Sequence, residues 1–184
     1  MKEYEMLRSE IMQKIELYNS LITFTITTVL GILTLAITTQ KRMLFLLTFC
    51  IIIPMSLRIA YYKTTIVKIS AYMIVFLESK LSEFSWETRN RKFMNVNKKT
   101  KIYMIERLQG YECFVLSVVS YILYCFNYLQ NKEVSLKTVF DISFPFLLVL
   151  FEMYVTWVMN SIEKNRDKYI ISWRMFLIRV ENKR

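Results

Sequence analysis

Glu152 is the residue of this sequence best placed to do chemistry, because no other charge lies within ten residues of it on either side. It sits in the run VFDISFPFLLVLFEMYVTWVM (139–159). A carboxylate at the centre of a bilayer-crossing helix costs about 2.5–3.5 kcal/mol on insertion scales. Such a group must face a bundle interior or water, or carry a proton. Two uses are open for it: a cation path or gate, or a buried carboxyl bonded to a Thr, Ser or Tyr of a neighbouring helix. Asp141, near the outer end of the same run, can reach the interface. Pro145 lies between the two acids, where it removes one backbone hydrogen bond and can kink the helix.

A second pattern lies near the start of the chain. Thr23, Thr27, Gly31, Thr34 and Thr38 advance by 4, 4, 3 and 4 residues, and Asn19 extends the series. At about 100° per residue the series stays within an arc of roughly 80° on one helix face. Small polar faces either pack helices closely or line a hydrated path. The pore candidates are therefore Glu152, Thr23, Thr27, Thr34 and Thr38.

A third pattern interleaves cations with rings. Trp86, Arg89, Arg91, Lys92, Phe93, Lys98, Lys99, Lys101, Tyr103 and Arg107 fall close together, and Trp173, Arg174 and Arg179 repeat the mixture near the end. Phosphate groups suit the cations and bases suit the rings, as in single-strand or nucleotide recognition. Anionic headgroups beside a membrane would select the same cations, at roughly 1 kcal/mol each. The ligand-binding candidates are Trp86, Arg89, Arg91, Lys92, Lys98, Lys99, Lys101, Arg107, Trp173 and Arg174.

Other chemistry is excluded by composition. The 184 residues contain no histidine, which removes Ser-His, Cys-His and His-metal sites. Cys50, Cys113 and Cys125 stand singly in apolar runs, without the spacing of a zinc site or a disulfide scaffold. There is no GxSxG, Walker A, HExxH or paired Asp-rich motif, and Glu83, Glu87 and Glu106 read as scattered acids on solvated faces. These absences point away from an enzyme, and nothing calls for a metal or cofactor.

The elements that carry these residues follow from hydropathy. The chain is 54% hydrophobic, with only two Gly and two Pro, against averages near 7% and 5%. A bilayer core of about 30 Å needs about 20 helical residues. Four stretches approach that length: 21–39, 43–62, 113–129 and 139–159. A soluble chain of this size would not bury four such helices. The polar first twenty residues, with no small-residue cleavage site after the first apolar run, argue against a signal peptide. The expected fold is all-α: a polytopic membrane protein with four transmembrane helices and a helical cytoplasmic collar.

Basic residues set the orientation. Lys41, Arg42, Lys132 and Lys137 lie in the connectors on one side, whereas the N-terminal segment, the centre and the tail on the other hold 21 Lys and Arg in all. Both termini should therefore be cytoplasmic. In a bacterial host the membrane would be the inner one, because outer-membrane proteins are β-barrels. Cytoplasmic thiols there stay reduced.

Residues 1–20 read as an amphipathic cytoplasmic helix, with Tyr4, Leu7, Ile11, Ile15 and Tyr18 at 3–4 spacing and no break before the first span. Residues 63–111 form a basic helical cytoplasmic segment: a stripe of Ile66, Ile69, Met73, Phe76 and Leu77 ending near Ser85, a polar connector over 85–100, and a short helix from about Lys101. Residues 160–184 are again an amphipathic helix, and neither internal repeats nor low-complexity tracts occur.

The stretches YEMLRSEIMQKIELYNSLITFTITTVLGIL (Tyr4–Leu33) and FLESKLSEFSWETR (Phe76–Arg89) resemble the juxtamembrane and first-span segments of small helical membrane proteins in bacterial anti-phage defence. With four spans, a basic collar and this length, the chain is most similar to the membrane effector of the Hailong system. That resemblance covers about 45 residues by pattern and implies a homotetrameric ion channel held shut by single-stranded oligodeoxyadenylate, made by a partner nucleotidyltransferase. The membrane component of Kiwa is similar too, and implies a sensor bound to a cytoplasmic protein. The leading expectation is thus a defence effector forming an oligomeric channel gated by a nucleic-acid or nucleotide ligand. The runner-up is a non-conducting membrane sensor or scaffold that recruits a cytoplasmic effector. A small transporter is weaker, because inverted repeats and broken-helix pairs are missing.

Overall fold

Few residues in this chain can stop a helix, and the helices are accordingly long. The computed structural model describes residues 2–79, 85–96, 110–129 and 136–181, and among them no strand occurs. Helix α1 spans Lys2–Thr39, α2 spans Arg42–Tyr72 and continues as a π-helical turn over Met73–Leu77, and α3 spans Trp86–Val96. Helices α4, α5 and α6 cover Glu112–Leu129, Leu136–Lys164 and Arg166–Glu181.

The stops have local causes. After α1, Gln40 takes φ 52°, the left-handed conformation that often ends a helix. Before α4, Gly110 sits at φ 123°, where a Cβ would strain the backbone. Its N–H donates to Glu112 Oε2 at 2.6 Å, so the first acid of α4 reaches back to cap the helix start. Pro54 and Pro145 lie inside α2 and α5 without interrupting either.

Three helices are long and apolar enough to cross a membrane: Lys2–Thr39, Arg42–Leu77 and the Phe140–Ile162 part of α5. The first two contain the expected spans 21–39 and 43–62, the third covers all but the first residue of 139–159, and they fit a membrane protein. Helix α4, over the expected 113–129, is apolar but has 18 residues, roughly 27 Å of rise. One local expectation fails: residues 86–96, assigned to a polar connector, form α3. Lys98, Lys99, Lys101, Tyr103 and Arg107, with the expected short helix from Lys101, lie outside the described residues, as does the Arg91 side chain.

The chain divides into two compact units: Met1–Tyr18, Tyr61–Gln109 and Met159–Arg184 form one, and Asn19–Ala60 with Gly110–Val158 form the other. The first holds 20 Lys and Arg against 11 Asp and Glu, a balance of +9; the second holds five against four, a balance of +1. We call them the charged and the apolar unit. Within the charged unit, the extension of α2 is packed from two directions. Tyr4, Leu7 and Ile11 of α1 meet Ile66, Ile69, Met73 and Leu77, while Ile170, Trp173 and Leu177 of α6 meet Ala71, Ile74 and Val75. The π-helical turn places Met73, Ile74 and Val75, three consecutive residues, in buried positions. In the apolar unit, Val29, Leu33, Ala36, Phe45, Phe49 and Ile52 are buried, whereas Phe24, Leu35, Leu47, Ile122, Phe126 and Phe144 are exposed. An apolar surface of that extent calls for lipid or a protein partner.

Candidate functional site

Within the apolar unit, α5 turns Pro145, Val149, Glu152, Val155 and Thr156 inward, a 3–4 spacing that forms one buried stripe. Glu152 is 0% exposed. Ser56 Oγ, on α2, donates to Glu152 Oε2 at 2.9 Å and lies 2.9 Å from the main-chain oxygen of Ile53. Glu152 Oε1 has no hydrogen-bond partner among the described residues, and neither does the buried Ser120 Oγ of α4. A buried carboxyl with one oxygen unmatched carries a cost of about 1–3 kcal/mol or more. Cys113 of α4 lies within electrostatic reach of the same carboxyl. The Ser56–Glu152 bond joins α2 to α5.

The threonine stripe is not part of that interior. Thr23, Thr27, Gly31, Thr34 and Thr38 are exposed, while Thr25, Val29, Leu33 and Ala36 on the other side of α1 are buried. Each stripe hydroxyl donates to a carbonyl one turn back: Thr23 to Asn19 (3.1 Å), Thr27 to Thr23 (3.0 Å), Thr34 to Leu30 (2.9 Å) and Thr38 to Thr34 (2.8 Å). The hydroxyl protons are thereby satisfied within the helix, as apolar surroundings require. A Cβ added at Gly31 would meet nothing within 4 Å. The pore candidates thus fall into two sets within the chain, an interior acid and an outward stripe. Asp141 is tied down elsewhere, taking a hydrogen bond from the Tyr128 hydroxyl at 2.7 Å, with Arg42 over the Tyr128 ring at 4.7 Å.

In the charged unit, a second acid organises the site, and sequence reasoning had passed over it. Glu78, on the turn after the π-helical segment, accepts from the N–H groups of Glu87 (2.7 Å) and Thr88 (2.9 Å) and from Thr88 Oγ1 (2.5 Å). It caps α3 from a distance, placing a negative charge on the positive helix end. Glu87, expected on a solvated face, is half-buried and accepts from Ser70 Oγ at 2.5 Å. Arg8 lies 5.9 Å above the Trp86 ring, which joins α1 to α3. Burial and the neighbouring Glu78 push the Tyr4 hydroxyl above the usual tyrosine range.

This docking presents Trp86, Arg89 and Lys92 of α3 as exposed residues. On α6, Arg174 is exposed while Trp173 is half-buried in edge contacts with Tyr72 and Phe76 at 5.5 and 5.9 Å. Trp173 is therefore held by its own unit, whereas Trp86 offers a ring to solution. Among the described residues no group of His, Cys, Asp or Glu is arranged to hold a metal.

Comparison with family models, curated proteins and solved structures finds no match to this chain.

Proposed function

We propose that this chain is a membrane effector of anti-phage defence, a homo-oligomeric ion channel whose state is set by a single-stranded DNA or nucleotide ligand on its charged unit. In this reading α4 is the fourth span, both termini and the charged unit are cytoplasmic, and the membrane is the bacterial inner one. The observation that carries it is the separation of charge along unbroken helices. Helices α1, α2 and α5 each run from residues of the +9 unit into residues of the +1 unit without a break. A ligand that rearranges the cationic ends acts on the same helices that carry Ser56 and Glu152.

The test has two readings, both on the purified full chain. Labelled oligodeoxyadenylate should bind at 50 mM salt and lose affinity steeply at 200 mM, because counterion release dominates phosphate binding. Glu152→Gln keeps a side-chain oxygen for Ser56 but removes the carboxylate, and should cut ion flux in liposomes while expression and assembly persist. Unchanged flux from a folded Glu152→Gln protein would remove the acid from the path. Absence of binding at 50 mM would sink the nucleic-acid reading and leave the charged unit as a docking surface for a protein.

A further inference from the structure

Helices α4 and α5 are pinned together at two levels. At one, the Tyr128 hydroxyl donates to Asp141 Oδ2 at 2.7 Å and the Tyr124 hydroxyl to the Asp141 main-chain oxygen at 3.2 Å. Pro145, one turn further along α5, has no N–H to offer that oxygen, so Tyr124 supplies the missing donor. At the other level, Cys113 lies within electrostatic reach of Glu152. From the first level to the second the numbering falls along α4 and rises along α5, so the two helices run antiparallel.

The buried face of α4 is Cys113, Ser117, Ser120, Tyr124 and Tyr128, at spacings of 4, 3, 4 and 4 residues. Between the two pins, Ser120 falls about one turn of α5 short of Glu152. Side chains lean toward the N-terminus of their own helix, so in this antiparallel pair Glu152 and Ser120 lean toward each other. Both are 0% exposed, and Glu152 Oε1 and Ser120 Oγ each lack a hydrogen-bond partner among the described residues. Ser117, also 0% exposed, donates its hydroxyl proton to the Cys113 carbonyl at 3.0 Å and therefore presents lone pairs to the interior. Burial and the Ser56 bond set the environment of the carboxyl, with no Lys or Arg among the described residues acting on it. Arg58, two residues past Ser56, lies about 200° around α2 from it and is exposed.

We infer that Glu152 Oε1 and Ser120 Oγ, with Ser117 Oγ beside them, form a binding site for one monovalent alkali cation inside a single chain. A water between the two unmatched oxygens would leave the carboxylate charge uncompensated, whereas a cation meets both the oxygens and the charge. The donors are one carboxylate and hydroxyls, which suit hard cations rather than transition metals. One carboxylate balances one positive charge; a divalent ion would leave a net charge in the same apolar interior. The site deepens the cation path proposed above and rests on that reading only in taking Glu152 to serve a cation. It is complete within one chain and needs neither an oligomer nor a nucleic acid.

The experiment uses the full chain in detergent at constant ionic strength, with choline chloride replacing NaCl. Radioactive sodium should bind saturably at one ion per chain. The melting temperature should rise with Na+, because an ion held only by the folded chain stabilises it. Glu152→Gln should abolish both responses. Ser120→Ala should weaken binding about tenfold, as for one lost charge-assisted contact, and this variant decides the matter should Glu152→Gln lose its fold. Glu16→Gln, which alters an exposed carboxylate of the charged unit, should change neither response. No saturable Na+ in the folded wild type, or wild-type affinity in Glu152→Gln or Ser120→Ala, overturns the site. Stabilisation by CaCl2 but not by NaCl overturns the monovalent assignment, and stability that follows pH but not Na+ gives the position to a proton instead. Saturable binding in a chain that conducts nothing refutes the channel alone; flux that needs Glu152 without saturable binding refutes the site alone.

Discussion

Among the described residues, each unit of this protein buries one glutamate, and the two are treated in opposite ways. Glu78 in the charged unit is 8% exposed and receives three hydrogen bonds, two from backbone N–H groups at the start of α3. Glu152 in the apolar unit is 0% exposed, receives one, and leaves Oε1 without a partner among the described residues. Burial of a charge or polar group is expensive, and only matching partners repay it. Glu78 is matched by a helix end that itself needs acceptors. Its environment explains its presence. Among the described residues, the surroundings of Glu152 match its burial with one hydrogen bond where those of Glu78 supply three.

The largest effect should come from breaking the matched site. Glu78→Met leaves the Glu87 and Thr88 amides without their acceptor and removes a charge from the α3 terminus. The loss should be about 2–3 kcal/mol, as for a charge-assisted cap. Hydrogen exchange at Glu87 and Thr88 should accelerate and α3 should become open to proteases, while α4 and α5 keep their protection. Equal loosening of both units would show that Glu78 does not act on α3 locally.

How far these two acids were legible from the sequence differs for a physical reason. Glu152 announces itself, because one charge in a long apolar run is conspicuous and the type of partner, a hydroxyl on another helix, follows from its cost. Ser56 as the particular partner was not legible, since register between helices depends on packing. Glu78 looked ordinary within FLESKLSEF. Its burial requires α3, and WETRNRKFMNV is polar enough to read as a connector. The available signal was Ser85 followed by an acid at Glu87, the pattern of a helix start. Three of the four expected spans, 21–39, 43–62 and 139–159, were legible because apolar length is additive along the chain. The threonine stripe was legible as a face, but its outward aim depends on which side of α1 the bundle covers.

The apolar-unit counterpart of the first substitution should move stability the other way. Glu152→Met places a flexible side chain of similar length in a fully buried site and removes the unmatched oxygen. Ser56 Oγ, already 2.9 Å from the Ile53 carbonyl, keeps a partner. Thermal stability in detergent should rise, by about 1–2 kcal/mol, while the ion flux of the proposed channel disappears. A loss of stability would show that the Ser56 bond repays the burial after all, and the contrast between the two units would collapse to a difference in geometry.

The smallest effect lies in an exposed carboxylate contact of the charged unit. The Tyr72 hydroxyl donates to Glu3 Oε1 at 2.9 Å, and that bond, with burial second, holds the hydroxyl above the ordinary tyrosine range. The neutral hydroxyl is thus favoured by the fold. An unfolded tyrosine titrates near pH ~10. The stability contributed is fully present below that pH and is lost as pH rises through the higher folded value. Tyr72→Phe removes the hydroxyl and keeps the ring contacts with Phe76 (4.7 Å) and Trp173 (5.5 Å). The bond is exposed, so water and salt screen it and the loss at neutral pH should be slight. Subtracting the melting curves of Tyr72→Phe from wild type cancels the titration of the lysines. The difference should be constant up to pH 9 and shrink toward zero by pH 11. A difference that grows with pH would mean that the fold favours the charged hydroxyl, and that a cation rather than Glu3 governs this end of the α1–α2 contact.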